Sequence, residues 1–154
     1  MKIDRQFSPF DFEPGHFTRS FWDACKRGVI EAARCNECEH LFLPAGPVCP
    51  RCWSTDLGVQ DLSGSGEVAT FTVYRHSYHP DFQVPYVVAL IVLSEGPRLV
   101  SNIVNCAPED VKIGMSVLVQ FEPKGDLILP QFAPADAQAH PFSRRQKVDG
   151  SRYG

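Results

Sequence analysis

The sequence has no run of 18 apolar residues, so it offers no membrane-spanning helix. Its opening stretch, MKIDRQFSPFDFEPG, lacks the apolar core of a secretory signal, and a cytoplasmic protein is expected. It also lacks a strong charge of either sign. Fifteen basic and 18 acidic residues leave a formal net charge of -3. A dedicated nucleic-acid binder shows a basic excess instead. There is no glycine-rich phosphate loop, no G-x-S-x-G elbow and no paired-carboxylate signature. Nothing in the pattern has the look of an active site.

What is present points to a folded, turn-rich chain. Hydrophobic residues make up 44%, enough for a core. Thirteen prolines and 11 glycines imply many turns and short elements, and 11 phenylalanines are many for 154 residues. Four of the six cysteines fall into two C-x-x-C pairs. Without a secretory signal, that spacing reads as metal binding in a reducing compartment rather than as disulfides.

Residues 1–15 show no steady period but carry Phe7, Phe10 and Phe12. These read either as aromatics tucked onto the domain or as a docking arm for a partner. Residues 17–27 read as a short helix. Phe17, Phe21, Trp22, Ala24 and Cys25 would share its apolar side, Thr18 would cap it and Gly28 would stop it. Val29 to Arg34 reads as a strand leading into the first cysteine pair. Ser63-Gly64-Ser65-Gly66 reads as a flexible joint. Beyond it, alternating and β-branched runs predict five strands up to Phe132, with turns at 94–97 and 123–126. That count suits a small Greek-key barrel, either an OB-fold or an SH3-like one, and periodicity does not choose between them. The last segment holds Arg144, Arg145, Lys147 and Arg152. It reads as a solvated tail or as a segment that orders on a phosphate-bearing ligand.

Cys35, Cys38, Cys49 and Cys52 carry the clearest chemistry. Each C-x-x-C turn can place two thiolates on one ion at about 2.3 Å, and two turns complete a tetrahedron. Iron is the minor rival for such a site. Four protein ligands leave no open position, so a zinc ion there stabilises the fold and activates no water. His40 reads as a bystander to this site. Cys25 and Cys106 read as passive thiols, and His76 and His79 as ordinary polar loop residues.

The order of parts resembles the DUF35 family. Phe21-Trp22 leads through Gly28 to Arg34-Cys35-Asn36-Glu37-Cys38. Leu41-Phe42-Leu43-Pro44, Cys49-Pro50-Arg51-Cys52, the Ser63–Val68 strand opening, Pro85–Leu90 and Ile113-Gly114-Met115 follow. The resemblance covers roughly residues 17–132. It departs at Glu39 and Trp53, where many relatives carry the glycine that follows each cysteine pair. It implies a mainly β chain: an arm and helix at 1–28, a rubredoxin-like zinc ribbon at 29–60, a five-stranded OB-fold barrel at 61–132 and a tail at 133–154. It also implies a non-catalytic accessory subunit, hetero-oligomeric with a thiolase-like or aldolase-like catalytic partner and carrying structural Zn2+. Such a subunit could border the partner's coenzyme A or acyl-CoA site. On charge grounds alone, Arg144 and Arg145 are the candidates for CoA phosphates, and Phe7, Phe10 and Phe12 those for docking. A single-stranded nucleic-acid-binding ribbon/OB module is the alternative, opposed by the acidic balance.

Overall fold

The computed structural model describes residues 13–136. The aromatic arm at Phe7, Phe10 and Phe12 and the basic pair Arg144 and Arg145 lie outside these residues.

Helix α1 spans Arg19–Lys26. Ala24 and Cys25 are fully buried, while Phe21 is packed partly against the main core. Two expectations for this helix change. Phe17 is 48% exposed and sits edge-on to His16, so it does not join the buried side. Thr18 holds the N-cap position, but its hydroxyl donates to the Gly15 carbonyl (3.4 Å) and leaves the helix N–H groups uncapped by a side chain. Gly28 ends the helix at φ +76°, the left-handed conformation that glycine adopts without a Cβ clash.

The ribbon is a three-stranded antiparallel sheet in the order β2-β1-β3. Strand β1 is Ile30–Cys35, β2 is Leu41–Phe42 and β3 is Leu57–Leu62. β1 pairs along its whole length with β3, from Ile30↔Leu62 to Cys35↔Leu57. The alternation of β1 divides two cores. Ile30 and Ala32 pack with the barrel, whereas Ala33 and Cys35 pack with Phe42 and Cys49.

Five strands then close into a barrel in the order β4-β5-β6-β8-β7. They are β4 (Ser65–Tyr74), β5 (Tyr86–Leu93), β6 (Arg98–Ile103), β7 (Ser116–Lys124) and β8 (Leu127–Pro134). This order is that of the OB-fold and decides the choice that periodicity left open. β5 alternates strictly, with Val87, Ala89, Ile91 and Leu93 buried in the barrel. Phe132 of β8 is 0% exposed at its centre. Closure between β6 and β8 has a single parallel ladder pair, Ile103↔Phe132, supplemented by the Ser101 hydroxyl donating to the Pro130 carbonyl (2.5 Å).

The Ser63–Gly66 segment is pinned rather than flexible. The Ser63 N–H donates to Glu95 Oε1 (2.7 Å), and the hydroxyls of Ser63, Ser65 and Ser94 form a chain at 2.8 Å per step. Gly64 sits at φ +77°, and a Cβ there would run into Val119. A Cβ on Gly66 would lie 2.6 Å from the Val92 carbonyl oxygen. The glycines are there for close packing, not for freedom.

Candidate metal centre

Two tight turns build the site. In the first, Glu39 N–H donates to the Cys35 carbonyl (3.0 Å) and Cys35 N–H to the His40 carbonyl (2.9 Å). The second repeats the pattern: Trp53 N–H to the Cys49 carbonyl (3.0 Å) and Cys49 N–H to the Ser54 carbonyl (2.9 Å). Closing such a turn needs a left-handed residue after the second cysteine. Glu39 (φ 59°) and Trp53 (φ 64°) supply it despite their side chains. The departure from glycine therefore changes the side chains and keeps the backbone geometry. Glu39 gains an ion pair, Arg34–Glu39 at 2.6 Å, while Trp53 projects its ring 77% exposed.

The turns bring all four thiols together. Their Sγ atoms lie within 4.8 Å of one another, with Cys35–Cys52 at 3.5 Å and Cys38–Cys49 at 3.6 Å. A tetrahedron with arms of about 2.3 Å has edges of about 3.8 Å, so the set fits one ion. Backbone donors face the sulfurs, with Cys38 N–H 3.5 Å from Cys35 Sγ and Arg51 N–H 3.4 Å from Cys49 Sγ. The Cys38 N–H is the main reason that the Cys35 thiol is held below its usual value. Burial opposes ionisation of Cys49, but the N–H groups of Cys52 and Arg51 outweigh it and bring that thiol to about 7. At Cys52 the Ser54 N–H favours the thiolate, yet the crowding sulfurs, Cys38 foremost, push it up to about 12. Four thiolates this close do not coexist without a compensating dication, and a bound Zn2+ supplies that charge. His40 stacks on the Phe42 ring (5.9 Å, 13°) and takes no part in the cluster.

The remaining thiols are quiet. Burial raises Cys25 to about 12. Burial, followed by the charge of Asp110, raises Cys106. Neither supplies a thiolate at neutral pH. His79 lies 3.6 Å from Asp81, and His76 sits edge-on to Tyr78. The two imidazoles make separate contacts within one loop.

The sequence matches two family models end to end: the ChsH2 rubredoxin-like zinc ribbon domain over residues 22–58 and the ChsH2 C-terminal OB-fold domain over residues 59–122. A DUF35 domain-containing scaffold protein of Methanocaldococcus jannaschii is 41% identical over 106 residues, which cover 67% of this chain and 74% of that one. The chain belongs to the DUF35 family. Structural Zn2+ is accordingly its metal, held in the ribbon. This DUF35 chain is also 43% identical over 121 residues to a "Probable enoyl-CoA hydratase alpha subunit" of Thermomonospora curvata. The match takes 77% of the chain but only 38% of that relative's length. Among solved structures, the "Ltp2-ChsH2(DUF35) aldolase" superimposes with a TM-score of 0.75 at 40% identity, covering 79% of this chain and 97% of the matched one.

Proposed function

We propose that this chain is an accessory subunit that binds and supports a catalytic partner acting on an acyl-CoA. The observation that carries this reading is the match over 97% of a DUF35 chain from an aldolase assembly. The closed four-cysteine site agrees with it, since such a site braces a fold and offers no open position for substrate. The quiet thiols Cys25 and Cys106 agree as well. The partner is a thiolase-like or aldolase-like enzyme, or an acyl-CoA hydratase as in the Thermomonospora curvata relative. The chain forms a hetero-oligomer with it and borders its CoA site. Phe7, Phe10 and Phe12 anchor the assembly, and Arg144 and Arg145 lie against the CoA phosphates.

A pull-down from native extract, with partners identified by mass, tests the core of this reading. A stoichiometric thiolase-like, aldolase-like or hydratase-like protein is expected. Recovery of nucleic acid, or of nothing, would overturn it. On the purified complex, Phe10→Ala with Phe12→Ala should weaken assembly and leave zinc content unchanged. Arg144→Ala with Arg145→Ala should raise the partner's KM for acyl-CoA, and an unchanged KM removes the tail from the site.

A further inference from the structure

Strand β5 is apolar on both faces. Val87, Ala89, Ile91 and Leu93 point into the barrel and are buried. The alternate residues Tyr86, Val88, Leu90 and Val92 lie on its outside and are half-buried. An antiparallel strand with one face in water carries polar residues on that face, and a strand that is apolar throughout is one covered on both. Its neighbour β4 follows the rule, since the outward Glu67, Thr70 and Thr72 are exposed. On the other side, Val100 of β6 stands directly opposite Leu90 and is 66% exposed, which widens the stripe. A contiguous apolar stripe on an outer face marks an interaction surface.

The charges beside the stripe point to what covers it. Val92 pairs with Glu67 on β4 and with Arg98 on β6, so the three residues form one row with the apolar one in the middle. Both charged residues are exposed, and neither makes an ion pair with a described residue. Each sits one strand spacing, about 4.8 Å, to its own side of β5. A two-fold axis laid along β5 exchanges the two sides. Arg98 of each copy then faces Glu67 of the other, while Val92, Leu90 and Val88 meet their own counterparts. In the next row Val100 and Thr70, which flank Leu90, meet across the copies in the same way. A patch that is complementary to itself about a two-fold axis is what an isologous dimer requires.

We propose that a second copy of this chain covers the outer face of β4, β5 and β6, in a two-fold dimer with β5 on the axis and reciprocal Arg98–Glu67 pairs at its sides. The contact is only three strands wide, so the dimer is weak and dissociates on dilution. It stands or falls independently of the accessory role proposed above.

Sedimentation equilibrium of the zinc-loaded full chain, from micromolar to millimolar concentration, tests the dimer. A reversible monomer–dimer equilibrium is expected. Arg98→Glu and Glu67→Arg each set like charges against one another at both sides of the axis, and each should weaken association by about tenfold or more. An equimolar mixture of the two variants should recover association, because both contacts then join opposite charges again, and the double variant should recover it too. Misfolding or a changed net charge gives no such recovery. Leu90→Lys, which sets two ammonium groups against each other on the axis, should also break the dimer and leave zinc content unchanged. A chain that stays monomeric throughout would overturn the proposal, as would single reversals without effect or a mixture that stays monomeric. If Leu90→Lys instead releases a catalytic partner while the chain alone is monomeric, the face belongs to that partner and the dimer is refuted.

Discussion

The ribbon and the barrel solve the same problem by different physics. The ribbon's own core is four residues, Ala33, Cys35, Phe42 and Cys49, two of them metal ligands. That is too little apolar surface to offset the entropy of ordering its turns, so the metal must supply the difference. The barrel instead buries Val68, Val87, Ile91, Leu93, Val117 and Phe132 almost completely and needs no ion. The two are not independent, because Ile30 and Ala32 of β1 and Leu62 of β3 lie in the barrel's core. The lower half of the ribbon sheet belongs energetically to the barrel, and only the knuckle half belongs to the metal.

Metal removal should break the comparison most visibly. Cys49→Ser, or chelation, forfeits on the order of 10 kcal/mol of metal-linked folding energy. Hydrogen exchange should then show residues 35–57 unprotected while β4 to β8 and the Ile30 and Leu62 ends stay protected. Simultaneous loss of both would mean one cooperative unit. The converse variant, Phe132→Ala, should cost about 3–5 kcal/mol by opening a cavity in the barrel. Chemical denaturation measures that loss, and the folded fraction should keep its full zinc content.

Smaller changes sharpen the picture. Trp53→Gly removes a side chain from a left-handed position where it makes little contact, and should raise stability by about 1 kcal/mol. A drop in Tm would show that the exposed ring contributes to the fold. Glu95→Gln weakens the link from Ser63 to the β5–β6 turn and should cost about 1 kcal/mol or less at neutral pH, because the amide oxygen can still accept from the Ser63 N–H. Burial opposes ionisation of Glu95, but the Ser63 N–H prevails and holds its carboxyl below the ordinary carboxylate value. Its contribution is full above about pH 4.3 and is lost as pH falls through the lower folded value. The two proteins should therefore differ in Tm at pH 7 and converge in strong acid.

The knuckles were legible in the sequence because their chemistry is local: four residues fix each thiol pair. The five strands were legible because β4 and β7 alternate along the sequence and β5 is a continuous apolar, β-branched run. Non-local facts were not. Ser63–Gly66 reads as a joint in any window of the sequence, and only Val119, Val92 and Glu95, brought there by closure, show that it is clamped. Phe17 fits the helical period but lies just before the helix begins, outside the packed turn. Gln131 looks like an ordinary outward strand residue until Asn102 and Phe82 arrive from elsewhere in the chain to make a cleft around it.

The seam between β6 and β8 has a further consequence. Ile103↔Phe132 is the single ladder pair between these strands, supplemented by the Val104 N–H to Phe132 carbonyl bond (2.8 Å) and the Ser101 hydroxyl to Pro130 carbonyl bond (2.5 Å). This ladder is the shortest in the barrel, against three pairs between β4 and β7, so the ring is expected to open first along this line, which hydrogen exchange would show. Asn102, Ile103, Val104 and Gln131, which sit on both sides of this seam, line one outer cleft. A group seated among these residues would touch both strands and hold the ring shut.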